Sequence, residues 1–170
     1  MNKILLILSI LMSSVISFSA AAYDQDGCSI YLCLPMGFVP SGCGGAFKSF
    51  KHRIEHFQSP MPSWGSCQSH DDPSPSNMKV EKGFAAYIPK GERCVSWEHG
   101  HTPDGSTYRR CVQKMTFRND QYIKNEVCHN IRSGNKEDYT ITTQPIGCTL
   151  TKKYINEIMD GKGVGKPYYY

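Results

Sequence analysis

Residues 92–131 read ERCVSWEHGHTPDGSTYRRCVQKMTFRNDQYIKNEVCHNI. Three runs rich in Val, Ile, Tyr, Phe and Thr are separated by Thr-Pro-Asp-Gly and Asn-Asp, the composition of tight turns between half-buried strands. The spacing predicts a three-stranded antiparallel meander over 92–100, 106–118 and 121–131. Cys94 and Cys111 then lie on neighbouring strands, within reach of each other if the register sets them opposite. Downstream, DYTITTQP (138–145) reads as a further strand. The run TLTKKYINEIMD (149–160) reads as a closing helix, with Thr151 as its cap, Tyr154, Ile155 and Ile158 on one face, and Gly161 ending it. Residues 161–170, GKGVGKPYYY, read as a loose tail.

Upstream, CSIYLCL (28–34) is a compact apolar segment with Asp26 placed as an N-cap and Pro35 as a stop, which predicts a short helix. After the turn PMGFVPSG, the residues Cys43, Phe47, Phe50, Ile54 and Phe57 recur at steps of three and four and stack on one helical face. Lys48, Lys51, His52, Arg53, Glu55 and His56 cover the other face, so this second helix is amphipathic and packs on the first. Residues 58–77 are dense in Pro, Ser and Gly and read as an irregular stretch tethered by Cys67, with 68–77 as the connector proper.

The beginning of the chain has the three zones of a cleavable secretory signal, assigned to residues 1–22: a positive start at Lys3, an apolar run from Ile4 to Phe18, and small residues at Ala20, Ala21 and Ala22. The run is shorter than a membrane span needs and is interrupted by serines. All eight cysteines lie after it. An even set in an exported chain reads as disulfides, whereas zinc sites use paired Cys-x-x-Cys knuckles that this sequence lacks. With 19 basic and 15 acidic residues the chain is only mildly basic, and the charges are interspersed, so no direct nucleic-acid contact is expected.

Residues able to carry chemistry are few. His52 and His56 share a helical face at metal-ligand spacing but lack the glutamate of a zinc protease, and read as a solvated basic face. His99 and His101 lie close to the predicted Pro103-Asp104-Gly105 turn and read as exposed turn histidines. His70-Asp71-Asp72 lies in a Pro/Ser loop without a nucleophile elbow, and GKGVGKP lacks the full phosphate-loop spacing. No Cys-x-x-Cys offers a redox thiol, so the cysteines read as structural, and Trp64 and Trp97 as core or interface anchors. No catalytic residue, metal or cofactor is assigned.

The segment CSIYLCLPMGFVPSGCGGAF, carried through to Cys67, resembles the opening of TrbM-like conjugal transfer proteins. The matching positions are Cys28, Cys33, Leu34, Pro40, Cys43 and Cys67. The resemblance implies a periplasmic accessory of a plasmid conjugation or type IV secretion system that acts through protein–protein contacts and is not an enzyme. Its partners would be components of that machinery, with no membrane span after signal cleavage.

The expected fold is α+β: a disulfide-linked helical hairpin over 23–67, then a small antiparallel sheet and closing helix over 78–160, forming one domain with the hairpin. Connectivity is open in the sequence; the expected pairing is Cys28–Cys67, Cys33–Cys43, Cys94–Cys111 and Cys128–Cys148. Two rival functions stand beside the first. One is a secreted histidine-dependent hydrolase or nuclease using His99, His101 or His129, which requires two ionisable groups to converge in one cleft. The other is a secreted disulfide-rich inhibitor or toxin.

Overall fold

The computed structural model describes residues 24–68 and 77–170. The segment read as a signal, residues 1–22, lies outside them, as does His70-Asp71-Asp72.

The first helical segment is two short turns, α1 (Gln25–Cys28) and α2 (Ile30–Cys33), followed by a 3-10 turn at Leu34–Met36. Its cap is Asp24 and not Asp26: the Asp24 Oδ1 accepts from the Gly27 amide at 2.8 Å, and Arg53 pairs with the same carboxylate at 2.8 Å. Asp24 stays ionised below the usual carboxylate range, chiefly through that amide and then through Arg53. Pro35 lies inside the 3-10 turn, and Gly37 in the left-handed region ends it.

Helix α3 (Gly44–Glu55) packs on this segment. Its buried stripe is Cys43, Ala46 and Phe50, with Ile54 partly covered. Phe47 and Phe57 depart from the expected face: Phe47 is on the border of the stripe against Phe38, and Phe57 is fully exposed. The helix has already ended at Glu55, and Phe57 adopts a left-handed φ of 56°, so the periodicity runs past the element that it describes. Disulfides Cys28–Cys67 and Cys33–Cys43 clamp this layer. Part of the stretch read as irregular is firmly packed: Met61 is 2% exposed, and Tyr31 donates to the Pro62 carbonyl at 2.7 Å.

Strands dominate the rest. They are β1 (Met78–Ile88), β2 (Gly91–His101), β3 (Thr107–Phe117), β4 (Gln121–Lys124), β5 (His129–Gly134), β6 (Tyr139–Gln144), β7 (Leu150–Met159) and β8 (Lys162–Tyr169). They form two antiparallel sheets of order β4-β1-β7-β8 and β3-β2-β6-β5. The β2–β3 hairpin matches the sequence reading, but the meander does not continue. The third run divides, β4 crossing to pair with β1 while His129 onward pairs with β6. A register shift around Val95 brings Cys94 and Cys111 together diagonally, at a Cα separation of 5.8 Å. Cys128–Cys148 and the Cys128 amide, donating to the Thr151 hydroxyl, tie the segment before β5 to the start of β7, while the Thr149 amide on Tyr87 and the Asn125 amide on Phe84 extend the β1–β7 and β1–β4 ladders of the first sheet.

The closing helix is absent. Residues 150–159 are strand β7, and the expected cap Thr151 instead accepts the Cys128 amide at its hydroxyl. Tyr154, Ile155, Asn156 and Glu157 are buried in succession, because one face of β7 lies under the helical layer and the other under a run of tyrosines. A strand covered on both sides loses the alternation that would identify it. Gly161 does not end a helix: Asp160 and Gly161 both have positive φ and turn β7 into β8, the backbone of a type I′ hairpin. Nor is 161–170 a loose tail. Tyr168 packs edge-on against Phe38 and Phe50, and the Tyr170 and Lys153 backbones exchange two hydrogen bonds.

On the other face of the first sheet, Tyr122 of β4 stacks on Tyr169 of β8 at 3.9 Å, so coiling brings side chains of the two edge strands together. Space for the Tyr154 ring beneath them is provided by Gly83, where a Cβ would meet Tyr154 Cε1 at 2.8 Å. Gly83→Ala is expected to cost about 1–3 kcal/mol by overpacking, read by chemical denaturation. The Tyr154 hydroxyl would lose its place between Glu81 and Asn125, 3.0 and 3.1 Å away.

Candidate functional site

Strand alternation sorts the charges of the second sheet onto two faces. On β2 and β3, Glu98 stands opposite Arg110 and holds it in a 2.7 Å ion pair, with the Tyr108 hydroxyl donating to the same carboxylate at 3.0 Å. Arg110 lowers the Glu98 carboxyl first, followed by Tyr108. The neighbouring residues point the other way. His99 stands opposite Arg109 on β3 and opposite Tyr139 on β6, and Trp97 opposite Ile141. This second face therefore carries guanidinium, imidazole and aromatic rings.

The contacts on that face are specific. The His99 and Tyr139 rings stack at 4.8 Å, only 4° from parallel. Arg132 places its guanidinium 3.5 Å from the Tyr139 ring centre and donates to the carbonyls of Asn135 and Lys136. Arg109 lies 4.9 Å from the Trp97 ring centre. Between these rings and the Cys128–Cys148 bridge is an open cleft of about 450 Å³ whose wall includes Trp97, His99, Arg109, His129, Asn130 and Thr143. Among the described residues no aspartate or glutamate lines it.

Both His99 and His129 contribute to the wall of this cleft, at register positions five residues apart along β6. His129 donates Nδ1–H to the Val127 carbonyl at 3.0 Å, which fixes the ring and leaves its Nε2 for other partners. The His99 Nε2 is enclosed and has no hydrogen-bond partner among the described residues, an unsatisfied group of a kind that costs about 1–3 kcal/mol. His101 is exposed at the end of β2 and does not line the cleft.

His52 and His56 stack at 4.0 Å on the exposed face of α3, where His56 Nδ1 donates to the His52 carbonyl. Among the described residues no group of three His, Cys, Asp or Glu is placed to hold a metal ion, and no cysteine is free. The residues of GKGVGKP form strand β8. Trp64 packs edge-on against Tyr31 at 4.8 Å, on the border of the helical core. Arg109 and Asn130 are cleft residues that the sequence reading did not single out. The available signal was the Arg109-Arg110 pair, which a strand must split between two faces.

Fold and site define a strand-rich α+β protein with four disulfides, the chemistry of an exported or oxidising compartment. No described helix is long and apolar enough to cross a membrane. No family model matches the chain, and neither the curated proteins nor the solved structures contain a match to it.

Proposed function

We propose that this is a periplasmic accessory protein of a conjugation or type IV secretion system, acting through protein contacts. The observation that carries the reading is the surface of the disulfide-clamped helical layer. Between residues 32 and 57 it exposes Leu32 (72%), Val39 (84%) and Phe57 (100%), together with Met36 and Phe47. Apolar side chains presented on a covalently braced frame suit a protein partner better than solvent. The TrbM-like cysteine layout falls on this same layer, at Cys28, Cys33, Cys43 and Cys67.

The test is made in the plasmid-bearing host. Deleting the gene is expected to lower transfer frequency, and in vivo crosslinking from positions 32, 39 and 57 to recover channel components. Unchanged transfer and no crosslinked partner would reject the reading. A second reading, a histidine-dependent hydrolase or nuclease, is favoured by one observation: His99 and His129 line a single cleft beside Arg109. Hydrolysis of single-stranded DNA or RNA by the purified protein, lost in His129→Gln, tests it.

A further inference from the structure

Strand β1 is fully paired on one side only. Its register with β7 runs unbroken from Met78 to Tyr87, whereas β4 covers no more than Ala85–Ile88. The chain leaving β4 turns off at Asn125, where a φ of 63° ends the ladder after one last bond, from the Asn125 amide to the Phe84 carbonyl at 2.8 Å. That bond fixes the direction of the rest of the edge. Backbone groups change sides at each residue of a strand, so the N–H and C=O of Lys82, Val80 and Met78 point the same way as the Phe84 carbonyl, away from β7. The Tyr87 carbonyl, of the other parity, accepts from Thr149 on the β7 side, as the alternation requires. Among the described residues no strand meets Met78, Val80 or Lys82 on this open side.

A groove of about 400 Å³ lies at the same place. One wall is formed by Met78, Val80 and Lys82, the other by Tyr31, Met61 and Trp64 of the helical layer. The residues that offer backbone groups sideways therefore also supply one wall of a largely apolar groove. An extended chain laid along the edge uses both features, since its backbone continues the sheet and every second side chain enters the groove. Charge narrows the occupant. Lys79 and Lys82 are exposed, and neither pairs with a carboxylate among the described residues; Lys82 reaches only the Ser59 hydroxyl, at 3.5 Å. Glu81, between them, is already engaged by Lys124, Tyr154 and Asn156.

We propose that the open edge of β1 takes up an extended segment of another protein as an added strand, with apolar side chains in the groove and acidic ones against Lys79 and Lys82. The lysines favour this occupant over a second copy of the chain, whose β1 would bring two more lysines and a glutamate held by its own neighbours. The groove is not the apolar surface described above: Leu32, Val39 and Phe57 do not line it. The inference needs no conjugation machinery, so crosslinking at 32, 39 and 57 and the titration below succeed or fail separately.

The probe is a fluorescein-labelled octapeptide alternating valine with aspartate, titrated into the full oxidised protein and followed by anisotropy. Saturable binding is expected, weakened about tenfold or more when alternate peptide amides are N-methylated, a change that keeps the side chains and removes the edge hydrogen bonds. A peptide with lysine in place of aspartate should bind about tenfold more weakly. The double variant Lys79→Glu, Lys82→Glu should reverse that order; both side chains are exposed, so the fold is kept. Hydrogen exchange locates the contact. The Val80 and Lys82 amides should exchange freely in the unbound protein and become protected with peptide, while the Lys79 and Glu81 amides, which face β7, are protected throughout.

No binding at millimolar peptide, equal binding of the N-methylated peptide, or protection arising elsewhere overturns the proposal. Protection of the Val80 and Lys82 amides before peptide is added also overturns it, with sedimentation then assigning the cover to a second copy or to the chain itself.

Discussion

Glu157→Gln is expected to make the protein more stable above neutral pH and to flatten the dependence of its stability on pH. Glu157 lies on β7 between Val80 of β1 and Val164 of β8, under the helical layer, and is 1% exposed. Among the described residues neither carboxylate oxygen has a hydrogen-bond partner. Burial pushes its carboxyl up to about 8, from 4.5 in the unfolded chain.

A raised carboxyl pKa means that the folded state holds a proton which the unfolded state releases. Stability contributed by the neutral acid is therefore fully present below pH 4.5 and is lost as pH rises toward about 8. At pH 7 the loss is about 3 kcal/mol, a large fraction of the stability of a domain of this size. Tyr31 on α2 feels the charge of Glu157: it is raised first by burial and then by that negative charge, so it offers no compensating cation. Urea denaturation at pH 5, 6, 7 and 8 checks the prediction. The wild type should weaken steadily across the series while the glutamine variant stays level; parallel profiles would show that Glu157 is solvated or paired in solution.

The same residue shows why part of this fold is hard to read from its sequence. The helix 44–55 announces itself because it presents one face to the core and one to water, leaving a period in the apolar residues, whereas the β2–β3 hairpin and the strand at 139–144 are legible from their β-branched and aromatic content and the turn residues between the runs. Strand β7 has no such period, since Tyr154 through Glu157 are all covered, and Tyr154, Ile155 and Ile158 fall at helical spacing by coincidence. Strand β1 is obscured differently. Its sequence MKVEKGFAAYI contains a glycine and two alanines, poor strand formers in isolation. Gly83 makes room for the Tyr154 ring, and Ala85 and Ala86 are fully buried, requirements set by neighbours far along the chain.

The cleft follows the same rule. His99 and His129 stand out singly as ionisable residues, but their presence in the wall of one cleft depends on β5 reaching the second sheet through β6, while β4 leaves for the first. No local motif encodes that exchange. The long-range disulfide Cys128–Cys148 ties the segment before β5 to the segment before β7, and so fixes one wall of the cleft covalently.

The residues read as a loose tail provide the second large expectation: Tyr168→Ala should destabilise the whole molecule by about 3 kcal/mol. The Tyr168 ring meets Phe38 at 5.3 Å and Phe50 at 5.4 Å, both edge-on, and Phe50 is among the largest fully buried side chains. Truncating it opens a cavity where β8 meets α3. It also loosens a strand seated so closely on the 3-10 turn that a Cβ at Gly165 would approach the Pro35 Cβ to 2.5 Å. Tyr169→Ala should cost less, because that ring stacks on Tyr122 and does not join the helical core cluster against which Tyr168 packs. Thermal unfolding of both variants, with hydrogen exchange at the Tyr170 and Lys153 amides that close the β7–β8 ladder, separates the two cases. A frayed segment would leave the unfolding midpoint unchanged in both variants and those amides exchanging at the rate of free peptide; an anchored one couples their protection to global stability, because β8 joins the helical layer to the sheet beneath it.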